Sequence, residues 1–414
     1  MLSQDMVRRS LHRISKRDPE IRAWLHVDDR GALAHAKAID ENPHADLPLR
    51  GFTVGVKDVF NTCDMPTTYN SLLYSGFRPS ADASCIEVLR AAGAVIIGKT
   101  DTTEFATAGR RAITSNPHDL SRSAGGSSSG SAAAVADHHV RIALGTQTAG
   151  SLIRPASFCG IYGFKPTWGL VSTEGMKLYA PSLDTVGWYS RSIEDSERVC
   201  EVFNLAAPEE KTFPHVKIGV YRTPNWEHGS ADMQEAFDRA ATSLANVGVE
   251  IIPLEFSEIF ERLTSLHQIM MHREGAAAYL NLVRTRGDLL HDDFHARVET
   301  TRTMGDMQLR EAYDTAAQAR IEFESKIANL DAVLVPSAPG IAPFGRDPGN
   351  AIFNRIWTML HMPVLSMPWG RSENGMPIGI SLVGRRFSDR AVLRVGRHLE
   401  KMLNIPQQTA LPPA

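Results

Sequence analysis

Hydrophobic positions along the chain follow two periods in turn. Val7, Leu11 and Ile14 fall at i, i+4 and i+7, which predicts an amphipathic first helix that Asp18-Pro19 should end. Residues 51–60 (GFTVGVKDVF) are rich in β-branched and aromatic side chains and predict a strand. Residues 85–100 read as a helix, a stop at Gly93 and a buried strand over Ala94–Ile97. The same order returns at 217–254. A strand at 217–221 precedes a helix face of Met233, Phe237, Ala240, Leu244 and Val247, a stop at Gly248 and a strand at 249–254. Residues 256–328 carry a mostly helical pattern. Strands at 331–336 and 377–384 and a helix over Arg390–Leu403 complete the chain. Helices interleaved with short apolar strands predict an α/β fold, a sheet with helices packed on it.

Composition sets the outer bounds. The 414 residues carry 44 Lys+Arg against 47 Asp+Glu, a formal charge of -3, and 43% are hydrophobic. These values exclude collagen-like, disordered and disulfide-stapled classes. A near-neutral balance argues against a dedicated nucleic-acid binder, so no nucleic-acid partner is expected. The four cysteines, Cys63, Cys85, Cys159 and Cys200, form no C-x-x-C pair and read as reduced thiols. The N-terminal residues have no apolar signal-peptide core, and no run approaches the ~18 apolar residues of a membrane span. A soluble, cytoplasmic protein without a membrane partner is the expectation.

The chemistry concentrates in two segments. Residues 121–136 (SRSAGGSSSGSAAAVA) place six Ser and three Gly in their first eleven positions, then turn into an Ala-rich helix. A flexible linker is the plain alternative. A phosphate loop fails, because G-x-x-x-x-G-K-[ST] is absent. Gly126 to Gly130 formally match a G-x-S-x-G elbow, a match that arises easily where serines crowd. The second segment is 145–160 (GTQTAGSLIRPASFCG), where successive N–H groups around a serine could meet a developing oxyanion.

Together these segments resemble the amidase signature family, serine hydrolases with a Ser–Ser–Lys triad. The resemblance extends over LRGFTVGVKD (49–58), DMPTTYNS (64–71), AAGAVIIGKTDTTEFA (91–106), SNPHDL (115–120), AGGSSSGSAAAVA (124–136), TAGSLIRPASFCG (148–160), GFKPTWG (163–169), LDTVG (183–187) and MPIGISLVG (376–384), in family order. It implies one domain over 1–414, a central twisted mixed sheet covered on both faces by helices. The motif-bearing core is 49–200 and 331–403, with a variable helical segment at 256–328. It implies Lys57 as the base, Ser127 as the bridging serine beside a cis peptide and Ser151 as the nucleophile. The oxyanion loop falls on Thr148, Ala149, Gly150 and Ser151. A lysine base must be neutral, and burial is the means of lowering its pKa.

The sequence departs from the commoner motif, which has Asp four residues before the nucleophile and Arg two after it. Gln147 and Ile153 stand there, and Arg154 comes at the third position, as in short malonamidase-like members. Arg154, helped by Thr146, is expected to anchor a substrate carboxylate or carbonyl, with a structural brace as the alternative. The implied function is an amidohydrolase that cleaves the C–N bond of a small, possibly carboxylate-bearing amide through an acyl-Ser151 intermediate. Its partner would be that small-molecule amide, with no cofactor and no metal, and a homodimer is the default assembly. The alternatives are the amidase component of a tRNA-dependent amidotransferase, and an inactive binding protein on the same scaffold. Weaker signals are His291 and His295 at metal-compatible spacing, His138-His139 at a helix end, Cys159 as core, and Ile269-Met270-Met271-His272 as core or pocket wall.

Overall fold

The computed structural model describes residues 2–206 and 215–403. Thirteen strands run in chain order: β1 (Trp24–Val27), β2 (Thr53–Lys57), β3 (Val95–Thr100), β4 (Ser115–Asn116), β5 (Asp119–Ser123), β6 (Ile142–Gln147), β7 (Tyr162–Lys165), β8 (Thr185–Ser190), β9 (Lys217–Val220), β10 (Glu250–Pro253), β11 (Ala332–Pro336), β12 (Val364–Arg371) and β13 (Pro377–Val383). Eleven of them form one sheet in the order β1-β3-β2-β6-β8-β7-β12-β13-β11-β9-β10, and β4 and β5 pair separately. The sheet is mixed. β2 lies parallel to β3 and β6, and β9 lies parallel to β10 and β11, while the other pairs are antiparallel.

Side-chain alternation divides the core between the two faces of this sheet. Val54, Val56, Ile96, Ile142 and Leu144 enter one large apolar cluster. Val95, Ile97 and Ala143 enter another, with Val7, Ile14, Ala36 and the alanines of the helix Ser129–Ala136. That helix is buried at all eight positions, which only small side chains packed flat against a sheet permit. On β2 the alternation puts Lys57 on the face opposite Val56, the one the Ala-rich helix covers. Helices thus lie on both faces, as the resemblance implies.

The structure corrects several details. The first helix spans Ser3–Ile21 and passes through Pro19. Proline lacks only one N–H, and a further turn survives because Arg22 N–H donates to Asp18 O at 2.7 Å and Ala23 N–H to the Asp18 carboxylate at 2.7 Å. β3 runs on through Lys99 and Thr100, because both polar side chains are buried and paired within the fold. β1, β6, β7, β8 and β12 carry no expectation from the pattern above. The segment 256–328 is helical, as expected, with helices Ile259–Arg286, Asp292–Thr300 and Asp306–Lys326. No helix among the described residues is long and apolar enough to cross a membrane.

Candidate active site

β2 and β6 are parallel neighbours, with Val56 opposite Leu144, so both carry their C-terminal ends to one edge of the sheet. β2 ends on Lys57, and β6 leads into the loop 148–151. The Ala-rich helix begins beside them, and its entry brings Ser127 and Ser128 to the same place. A Cβ at Gly145 would stand 2.9 Å from Ser128 Oγ, so a glycine is what allows this approach. The peptide bond Gly126–Ser127 is cis.

Lys57 is fully buried and meets three hydroxyls: Ser127 Oγ at 2.8 Å, Ser128 Oγ at 2.9 Å and Thr146 Oγ1 at 2.8 Å. Burial holds its amine well below the ordinary lysine value, and the charge of Asp184 opposes this fall. Asp184 is itself buried, which raises its carboxyl to about 6. It accepts hydrogen bonds from the Thr148 hydroxyl and from Tyr179 N–H (2.6 Å) and Ala180 N–H (3.0 Å). Thr146, expected at the substrate, has its hydroxyl on Lys57 instead.

Ser151 follows β6 by one turn of loop and lines a cavity of about 190 Å³ together with Ser127, Thr148 and Ala149. The four carbonyls of 148–151 are all occupied by donors from elsewhere. His267 Nε2–H donates to Thr148 O at 2.8 Å and Thr358 Oγ1–H to Ala149 O at 2.8 Å. Arg154 N–H donates to Gly150 O at 3.0 Å and Tyr189 O–H to Ser151 O at 3.1 Å. Among the described residues no acceptor meets the N–H groups of Ala149, Gly150 or Ser151. A loop with its carbonyls tied and its N–H groups open can receive an anion. Gly150 has to be small, because a Cβ there would lie 2.4 Å from Asn354 Oδ1.

Two of the sequence departures now have a physical account. Gln147 Oε1 accepts from Leu152 N–H (2.9 Å) and Ile153 N–H (3.1 Å), the open N–H groups where the helix Ile153–Cys159 starts. Its amide donates to Thr358 Oγ1 at 2.9 Å, and Ile153 is fully buried in the core. A neutral side chain thus fixes the loop without an ion pair. Arg154 is 4% exposed; its Nε donates to Pro348 O at 2.6 Å and its Nη2 to Gly126 O at 2.5 Å. The bracing alternative therefore describes these two contacts, while Nη1 has no partner although the residue lines the cavity.

His267, Thr358, Tyr189 and Asp184 also belong to the site, and no motif marks the first three for it. LDTVG contains Asp184, but nothing near His267 in sequence signals a contact 119 residues away. His267 is buried, which lowers its imidazole to about 3, so it is neutral and the carbonyl it faces fixes the proton on Nε2. Replacing it with Leu leaves the Thr148 carbonyl unpaired and should cost about 1–3 kcal/mol of stability, read from denaturant unfolding. Thr358→Val should lower kcat about tenfold with KM little changed, because it loosens the loop and leaves the cavity wall intact.

The weaker signals resolve locally. His291 precedes its helix and accepts from Asp293 N–H, while His295 faces Gly287 O, so each has its own protein partner. His139 joins Trp24 to Asp137. Cys159 is buried, and Met271 lines the cavity.

Residues 5–393 match the family model described as Amidase. The chain is 32% identical to a glutamyl-tRNA(Gln) amidotransferase subunit from Solidesulfovibrio magneticus, over 97% of this chain and 94% of that one. Among solved structures it resembles the native peptide amidase from Stenotrophomonas maltophilia (TM-score 0.83, 26% identity, 98% and 94% covered). It also resembles the corresponding glutamyl-tRNA(Gln) amidotransferase subunit from Thermotoga maritima (TM-score 0.78, 26% identity, 96% and 91% covered). The chain belongs to the Amidase family, enzymes that hydrolyse amide C–N bonds. These relatives overturn one expectation. A small-molecule amide as the sole partner, with no nucleic acid, conflicts with similarity to amidotransferase subunits named for a tRNA. Net charge misled here, because one component of such an assembly need not carry a basic surface of its own.

Proposed function

We propose that this chain breaks an amide C–N bond by acylating Ser151. The observation that carries this reading is the buried Lys57 on Ser127, in the cavity wall that also holds Ser151. Ser151 Oγ attacks the amide carbon as its proton passes to Ser127 Oγ and that of Ser127 passes to the neutral Lys57 amine. The carbonyl oxygen takes the electron pair and is received by the N–H groups of the 148–151 loop. The C–N bond then breaks, Lys57 returns the proton through Ser127 to the leaving nitrogen, and water releases the acid from Ser151 by the same relay. Lys57 can accept a proton only in its neutral form, which burial favours by lowering its pKa, a role that a guanidinium could not take.

The curated relatives support the amidotransferase role above free-standing hydrolysis. In that role the amide is a nitrogen donor, and the ammonia released is used by a larger assembly. Free-standing hydrolysis of a small carboxylated amide is the second reading. It is favoured by the arginines Arg154, Arg297 and Arg355 in a cavity wall where, among the described residues, no carboxylate stands to meet a substrate ammonium. Ammonia release from glutamine, short carboxylated amides and neutral aliphatic amides separates the two. Preference for glutamine supports the first, and preference for a carboxylated amide without an amino group supports the second. No release from any of them contradicts both.

A further inference from the structure

Arg355 sits in the first turn of the helix Ile352–Met359 and lines the cavity that holds Ser151. Its side chain is unlike the other two arginines there. Arg297 donates to Tyr179 Oη at 2.6 Å and contacts His272 Nδ1 at 3.3 Å, and Arg154 is committed to two backbone carbonyls. Arg355 makes no side-chain hydrogen bond and no ion pair with any described residue, and its Nε is buried without a partner. Arg154 Nη1, equally buried and unpartnered, belongs to the same wall. Arg355 is half-buried, yet its Nε–H is buried without an acceptor, and a planar anion can pair with that N–H and a neighbouring Nη–H at once. Apart from Ser127, Ser151 and the 148–151 loop, the remaining polar wall is hydroxyl and amide: Thr103, Thr107, Tyr179 and Asn350.

We infer that Arg355, with Arg154 Nη1 beside it, anchors a carboxylate carried by the acyl half of the substrate. The reactive amide would then lie over Ser151 and the 148–151 loop. This rests on the hydrolytic reading above and narrows its substrate class to amides of dicarboxylic acids, glutamine included. A cavity of about 190 Å³ is small beside the usual binding pocket of about 300–1,000 Å³, so the acyl chain is short. Arg355 is thereby a specificity residue, and the sequence offers no motif around it.

The test is binding, so that it stands apart from turnover. Succinate and glutarate are titrated calorimetrically into the full chain and into Arg355→Met and Arg355→Lys. At least one dicarboxylate should bind the unaltered protein. Its affinity should fall 30-fold or more in Arg355→Met and by less in Arg355→Lys, which keeps the charge but loses the fork. The thermal midpoint of Arg355→Met should be no lower than that of the unaltered protein, since a half-buried cation without an ion-pair partner has been removed. Failure of both dicarboxylates to bind, or equal affinity in both variants and the unaltered protein, overturns the inference. Arg355-dependent binding without hydrolysis of any amide would leave this site standing and remove the hydrolytic reading instead.

Discussion

Ser151→Ala should abolish amide turnover, lowering kcat by about 10⁴-fold or more while leaving the fold intact. The hydroxyl has no hydrogen-bond partner among the described residues, whereas the Ser151 carbonyl keeps its bond from Tyr189. Unfolding stability should therefore stay within about 0.5 kcal/mol. The size of the rate loss follows from the chemistry. The N–H groups of the 148–151 loop would remain able to polarise a carbonyl, but no atom would be placed to form the acyl bond. Single-turnover kinetics should show the loss in the chemical step, with substrate binding nearly unchanged. A variant that kept more than a hundredth of the activity would put the nucleophile elsewhere.

Lys57→Met should be nearly as damaging, with kcat about 10³–10⁴-fold lower, because the relay through Ser127 then has no terminus. This variant also carries a pH signature. In the folded protein the amine of Lys57 is held below its ordinary value by burial, so kcat/KM should rise with pH as that amine loses its proton and then level off. The acid limb should be missing from Lys57→Met. Stability has a definite sign as well. The folded pKa lies below the unfolded one, so between the two the unfolded chain binds the additional proton and stability rises with pH across that window. Lys99 and Lys165, both buried and lowered by burial, contribute in the same direction. Lys57→Met should therefore make the rise shallower, by one proton in the linkage slope, without removing it.

Legibility from sequence followed the local physics. Gly93, the 217–254 alternation and the helical segment 256–328 were readable because apolar period and glycine stops act over a few residues. β6 was not, because IALGTQ mixes small and polar residues whose burial depends on helices from elsewhere. The structure gathers Lys57, Ser127 and Ser151 at one edge of the sheet, and each lay in a short motif. Thr146 and Arg154 lie in the same motif-bearing segment, yet their contacts are not set by it. What a side chain near a nucleophile touches is decided by distant segments, here Lys57 for Thr146 and the Pro348 loop for Arg154. Arg355 and His267 lay in stretches without motifs, and only the packing of their helices onto the loop brings them to the site.

Covalent labelling tests the central assignment most directly. The full chain is treated with a fluorophosphonate, digested, and the modified peptide identified by mass, alongside Ser151→Ala and Lys57→Met. One label is expected, on the peptide that contains Ser151, absent in Ser151→Ala and formed far more slowly in Lys57→Met. A label on Ser127 or Ser128, or one that persists in Ser151→Ala, would contradict it.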